Sequence, residues 1–168
     1  GLERTGGFET VAFCESAAYP RQVLRKHWPD VPVYLDIRAL SVQILALDDV
    51  RPDVICGGFP CQDISLAGQR AGLTGARSGL WFEMLRLIEE VLPQYVIIEN
   101  VVALRSRGLD TVLGGLASVG YDAEWHCIPA AALGAPHRRD RVWIVGYPPG
   151  GRWREYGHER GPVGGGAN

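Results

Sequence analysis

Long apolar runs are missing from this chain of 168 residues. No stretch of 18 or more apolar residues occurs, so no membrane-spanning helix is expected. No basic segment followed by an apolar one opens the chain, which argues against a secretory signal. The chain begins at Gly1, and that start reads as a cut rather than a native terminus. Lysine is almost absent: Lys26 is the only one, so nearly every cation is an arginine. Cysteine is scarce and scattered. Cys14, Cys56, Cys61 and Cys127 form no C-x-x-C pair and have no histidine partner at zinc spacing. A reducing cytoplasm fits that usage. Three of the four, Cys14, Cys56 and Cys127, lie inside or at the end of apolar runs and are expected to be inert core thiols.

What is present is ordinary for one soluble globular domain: 46% hydrophobic and 21% charged residues. The net charge of −2 is poor for a nucleic-acid binder, but it hides an asymmetry. Residues 1–100 carry 9 basic and 13 acidic side chains, net −4, and residues 101–168 carry 8 basic and 6 acidic, net +2. Arginine reads phosphates and base edges better than lysine because its planar fork donates bidentately. GC-rich coding explains the arginine bias equally well, so charge alone decides nothing.

Short β-type runs recur at Val11–Cys14, Val31–Tyr34, Val54–Cys56, Tyr95–Ile98, Ala123–Ile128 and Val142–Gly146. Between them lie helical patterns. Apolar residues at Leu80, Met84, Leu85, Ile88, Val91 and Leu92 make a 3.6-residue stripe that Pro93 ends. Further helices are predicted from Ala17 to Trp28 and from Leu109 to Val119, the latter closed by Gly120. Strands alternating with helices predict a parallel α/β sheet covered on both faces. Residues 129–140 lack a helical period, which predicts an antiparallel final strand. Residues 62–79, with four glycines, form a connection long enough to be functional or disordered. After Tyr147 the chain turns Gly-, Arg- and Pro-rich, as a poorly ordered tail or linker would.

Three segments have the residue types of a reaction site. Gly57-Gly58-Phe59-Pro60-Cys61-Gln62 follows a buried strand, at the strand end where open α/β sheets bind ligands. Alone, it reads equally as a Gly-Pro turn with an incidental cysteine. Glu99-Asn100-Val101 ends the next strand, and a carboxylate there is costly unless paired or used. If the two strands are neighbours their ends lie roughly 5 Å apart, and Cys61 and Glu99 can face one substrate. Glu99 can equally cap the helix that follows. The third segment, Ala135 to Val145, leads three arginines into an apolar strand, where Arg139 and Arg141 are expected to share a face. A solvated edge is the alternative.

Taken together, Pro60-Cys61-Gln62, Glu99-Asn100-Val101 and His137-x-Arg139-x-Arg141 resemble the cytosine-C5 DNA methyltransferases. The resemblance extends over nearly all of residues 1–146, in order. It implies an α/β, Rossmann-like fold of the kind that uses S-adenosylmethionine: a mostly parallel sheet with an antiparallel final strand, its first strand missing here. Residues 1–147 would be a partial catalytic domain and residues 148–168 a flexible tail or linker. The implied catalytic residues are Cys61 as nucleophile at cytosine C6, Glu99 at N3, Arg141 at O2 and Arg139 in support. Glu15 looks like the acid that holds the cofactor ribose, and Asp36-Ile37 like the pair that meets its adenine. Gly58, Pro60 and Leu80, the last within Ser78-Gly79-Leu80-Trp81, would line the rest of the cofactor pocket. Gln62, Ser65, Arg70 and Arg77 would meet the DNA, with the loop closing over a flipped-out cytosine. The implied protein is a bacterial or phage-encoded cytoplasmic monomer, with a restriction endonuclease as a partner and no role for a membrane or a metal.

The pattern departs from the family in three ways. The first strand and its Phe-x-Gly-x-Gly loop, expected just before Leu2, are not in the sequence. Nothing corresponds to a target-recognition domain. His137 stands where the family usually has Gln. Two other functions compete: a transfer-RNA cytosine-C5 methyltransferase, which shares the same catalytic residues, and the non-catalytic, DNA-binding half of a split enzyme.

Overall fold

The structure, a computed structural model, describes residues 1–60 and 79–149. The strands are β1 (Phe13–Cys14), β2 (Val33–Tyr34), β3 (Val54–Gly57), β4 (Tyr95–Val101), β5 (Asp122–Pro129) and β6 (Asp140–Tyr147). The helices are α1 (Ala18–His27), α2 (Val42–Leu47), α3 (Leu80–Val91), α4 (Leu104–Arg107) and α5 (Leu109–Ser118). All six expected strands and all three expected helices are present. Helices α2 and α4 are additions. Among the described residues no helix is long and apolar enough to cross a membrane.

Strands β3-β4-β6-β5 form one sheet, and β1 and β2 a separate parallel pair. Within the larger sheet β3 and β4 run parallel, while β6 runs antiparallel to both β4 and β5. The last strand is therefore the one reversed member, as the connection at 129–140 predicted. That connection holds a single 3-10 turn, Ala130–Leu133.

Helix α3 forms because its apolar residues fall on one stripe. Trp81, Met84, Leu87, Ile88 and Val91 are buried, and each fully buried side chain of this size stabilises by about 1.5–3 kcal/mol. Glu83 in the first turn complements the helix dipole. The helix stops at Leu92, whose left-handed backbone (φ 52°) donates its N–H to Ile88. Pro93 then prevents continuation. The stripe faces two clusters at once. Trp81, Met84 and Ile88 pack with Val96, Ile98, Val142, Ile144, Val112 and Leu116 of β4, β6 and α5. Leu87 and Val91 pack instead with Leu40, Leu45 and Val50, a cluster that Ala12, Tyr34 and Ile55 also touch. That second cluster is what joins the β1–β2 pair to the larger sheet.

Two expectations are corrected. The sheet is covered on one face only among the described residues: Tyr95, Trp143 and Val145 stay 36–39% exposed on the other. The alternation in β4 and β6 explains it, since every second residue points away from α3 and α5. The cysteines expected in the core, Cys14, Cys56 and Cys127, are exposed. Cys14 ends a two-residue strand, Cys56 lies on the open face beside Ile97, and Cys127 lies on the edge strand. Surrounding protein still desolvates Cys14 and Cys56 enough to push both thiols up, with added repulsion from Asp36 and Glu15 at Cys14.

Candidate active site

The pairing of β3 with β4 places Gly57 beside Ile98, so the Gly58-Phe59-Pro60 turn leaves its strand next to Glu99. The pairing of β4 with β6 places Glu99 opposite Trp143 and Val101 opposite Arg141. Three segments distant in sequence meet at one sheet edge. They line an open concavity of about 670 Å³: Gly58, Phe59, Pro60, Glu99, Asn100, Val101, Arg139 and Arg141.

Two charged groups define its chemistry. The Nε of Arg141 lies 2.7 Å from Oε1 of Glu99, with the arginine 20% and the glutamate 38% exposed. A charge-assisted contact of this length fixes both side chains. Glu99 is thus paired across the sheet rather than used as a cap; the N-cap of α4 is Ala103 and has no side-chain bond. Arg141 also donates to the Asp140 carbonyl at 2.9 Å.

Arg139 lines the same concavity by a different route. It precedes β6, at φ 35°, instead of sharing a strand face with Arg141. A non-glycine residue in that region is strained. The alternation argument fails there because the strand begins one residue later, at Asp140.

Asn100 had no role in the sequence reading beyond its place in Glu-Asn-Val. It is buried, at 4% exposure, and both ends of its amide are used. Nδ2 donates to the Phe59 carbonyl at 2.8 Å, and Oδ1 accepts from the Val101 amide at 2.9 Å. The turn after β3 is therefore fastened to β4. The sequence signal was available: a polar residue at an inward position of an apolar strand, where an unpaired amide would be costly. Phe59, also buried, anchors the turn from below, its ring 5.3 Å from that of Trp81.

The other candidates divide. Cys61, Gln62, Ser65, Arg70, Arg77 and Ser78 lie outside the described residues, as does the expected tail from residue 150 onward. Gly58 and Pro60 line the concavity, and Leu80 opens α3. Glu15 and Asp36 follow β1 and β2 on the same edge of that parallel pair. Glu15 accepts the Ala17 amide on Oε1 at 2.7 Å, and Asp36 accepts the Arg38 amide on Oδ1 at 3.0 Å. Ile37 packs against both core clusters. His137 is exposed. Among the described residues no cluster of His, Cys, Asp and Glu can hold a metal ion.

Comparison with known proteins adds an independent line. A family model described as C-5 cytosine-specific DNA methylase matches residues 1–161. Type II methyltransferase M.AquIA of Picosynechococcus is 34% identical over 157 residues, covering 83% of this chain and 63% of that protein. Type II methyltransferase M2.BsuMI of Bacillus subtilis is 34% identical over 153 residues, covering 86% of this chain and 38% of that protein. Among solved structures, DNMT2 of Spodoptera frugiperda superposes with a TM-score of 0.71 at 17% identity, over 94% of this chain and 48% of that one. The Dnmt2 methyltransferase of S. pombe gives 0.69 at 17% identity, over 88% and 46%. At such identities the superpositions establish the fold, a Rossmann-like α/β arrangement with mixed strand directions. The chain spans less than two thirds of the length of each of these proteins.

Proposed function

Because the chain belongs to the C-5 cytosine-specific DNA methylase family, we propose that it carries the catalytic residues of an enzyme that methylates C5 of cytosine in DNA. The observation that carries this reading is the Glu99–Arg141 pair, 2.7 Å apart at the mouth of the turn that leads into Cys61. A carboxyl group and a guanidinium held side by side match the N3 and O2 edge of a pyrimidine. A thiol arriving from the neighbouring strand end can then reach C6.

Cytosine C5 is a weak nucleophile, so the reaction begins with the Cys61 thiolate adding to C6. The S–C6 bond forms, and the electron pair of the C5–C6 double bond moves toward N3 and O2. A proton shared between the Glu99 carboxyl group and N3, and the hydrogen bond that Arg141 donates to O2, stabilise that charge where it develops. C5, now enamine-like, would take the methyl group from the donor's sulfonium sulfur, which would keep the bonding pair and leave as a neutral thioether. Loss of the C5 proton and expulsion of the thiolate restore the double bond and free Cys61. One hard substitution thus becomes several easier steps. The base has to leave the duplex to enter the concavity.

The methyl donor is S-adenosylmethionine, which supplies an electrophilic methyl group when bound. The donor set fits its nucleoside half. Glu15 commits one carboxylate oxygen to the Ala17 amide, leaving the other for a ribose hydroxyl. Asp36 and Ile37, on the adjacent strand end, offer an acceptor and an apolar surface for adenine. Gly58, Pro60 and Leu80 complete the pocket with backbone.

Duplex DNA with 5-fluorocytosine at every cytosine tests the proposal, because fluorine blocks the final elimination. With S-adenosylmethionine present, the chain is expected to gain the mass of the oligonucleotide, and Cys61→Ala to gain nothing. An adduct that persists in Cys61→Ala would remove the cysteine from the mechanism. Adduct formation on fluorinated RNA but not on DNA would move the substrate class. Glu99→Gln is expected to slow adduct formation roughly 100-fold or more, while cofactor affinity stays within about twofold. An unchanged rate would remove Glu99.

A further inference from the structure

Arg86 stands outside the concavity, on α3, yet every arm of its guanidinium is committed. Nε donates to Glu83 at 2.9 Å, and one terminal nitrogen donates to Glu90 at 2.6 Å. The other donates to two backbone carbonyls, Ile37 and Leu40, each at 2.9 Å. Glu90 closes the circuit by accepting the Val42 amide on its second oxygen, at 3.0 Å. The side chain is one-third exposed, and the two carboxylates raise its pKa despite desolvation.

This is more than a helix-surface ion pair. A pair of that kind, on one exposed helix face, stabilises by a few tenths of a kcal/mol. Here the carboxylates orient a fork whose remaining donors leave the helix and hold another segment, residues 37–42. That segment follows β2 directly and begins at the Asp36-Ile37 turn. Within the turn its own chain supplies short-range bonds from Ala39 to Asp36, from Leu40 to Ile37 and from the Arg38 amide to Asp36 Oδ1.

We propose that Arg86, with Glu90 as its partner, is a positioning residue that sets the Asp36-Ile37 turn for the nucleoside half of the cofactor. The inference rests on the proposed function, in which that turn meets adenine. Only a planar fork serves the purpose. An ammonium offers three donors from a single nitrogen, too small a span to reach both carboxylates and both carbonyls.

The test is calorimetric titration of the whole chain with S-adenosylmethionine and S-adenosylhomocysteine. Arg86→Met, which keeps the stem and loses all donors, is expected to weaken both about tenfold. Arg86→Lys is expected to recover less than half of that loss on a logarithmic scale. Glu90→Ala, which removes the acceptor of the Val42 amide and one partner of Arg86, is expected to weaken binding about threefold. Leu116→Ala serves as a control: it opens the core beside Gly146 and Val96 without removing any hydrogen bond to residues 37–42, and should lower the melting temperature while leaving affinity within about twofold. Amide exchange should show protection lost at Leu40 and Val42 in Arg86→Met and kept in Leu116→Ala.

Affinity unchanged in both Arg86→Met and Glu90→Ala would overturn the inference. So would an equal weakening in Leu116→Ala, which would reduce the effect to general destabilisation. Asp36→Asn separates this from the parent reading. A wild-type chain that takes neither ligand, or one whose affinity ignores Asp36→Asn, overturns the cofactor assignment itself and the inference with it.

Discussion

Gly58 sits where a β-carbon would lie 2.8 Å from the carbonyl oxygen of Glu99 and 3.2 Å from its Oε2. The nearer obstacle is backbone in the middle of a paired strand, which cannot rotate away. Gly58→Ala is therefore expected to push the turn off β4, with a stability loss of about 1–3 kcal/mol in urea denaturation. The adduct rate should fall more steeply, roughly 100-fold, because a displacement near 1 Å is costly in an aligned site. A variant that keeps both stability and rate would show the close approach to be incidental. At this scale the sequence was informative for Glu99 and Arg141, whose charges were conspicuous beside apolar runs. It was uninformative for Arg86, and for Asn100 it offered a polar residue at an inward strand position but not its partner. Each acts through contacts 41 to 49 residues away, and no local pattern encodes such partners. It misled for Cys14, Cys56 and Cys127, since an apolar neighbourhood in sequence says little about which side of a strand faces solvent.

Helices α3 and α5 were legible because their stripes are long enough for the 3.6-residue period to show. Helices α2 and α4 have 6 and 4 residues, too few for periodicity, and such short helices depend on packing for their stability. The apolar run of β4 stops at Ile98, whereas the strand pairs through Val101. Glu99 interrupts the apolar run without interrupting the ladder, since its charge is met by Arg141. The two long helices meet at Gly115, where a β-carbon would lie 3.0 Å from both Leu85 Cδ2 and Trp81 Cζ2. Gly115→Ala gains about 1 kcal/mol in helix propensity. Overpacking opposes it, and Trp81, fully buried and backed by Phe59, has little room to yield. The expected net result is a loss of about 1 kcal/mol in the same denaturation assay. A more stable variant would show that the indole moves freely.

Across the whole molecule, the alternation of strands and helices conveyed the α/β class, and the missing helical period at 129–140 conveyed the reversed last strand. Layering was harder to read. Whether the second face of the sheet is covered depends on which elements reach it, and the apolar content of Trp143 and Val145 resembles that of a covered face. Nor does periodicity reveal that the described residues hold two cores rather than one. The division follows from α3, whose stripe is wide enough for Trp81, Met84 and Ile88 to face one cluster and Leu87 and Val91 the other.

That helix has a thermodynamic consequence. The same helix touches the segment at Asp36-Ile37, through Arg86, and the floor of the concavity proposed for the base, through Trp81 against Phe59. A ligand that selects one setting of the helix at either end changes the free energy of the other end. Linkage makes that change reciprocal: under the proposed function, whatever factor the nucleoside adds to the affinity for the base, the base returns to the nucleoside.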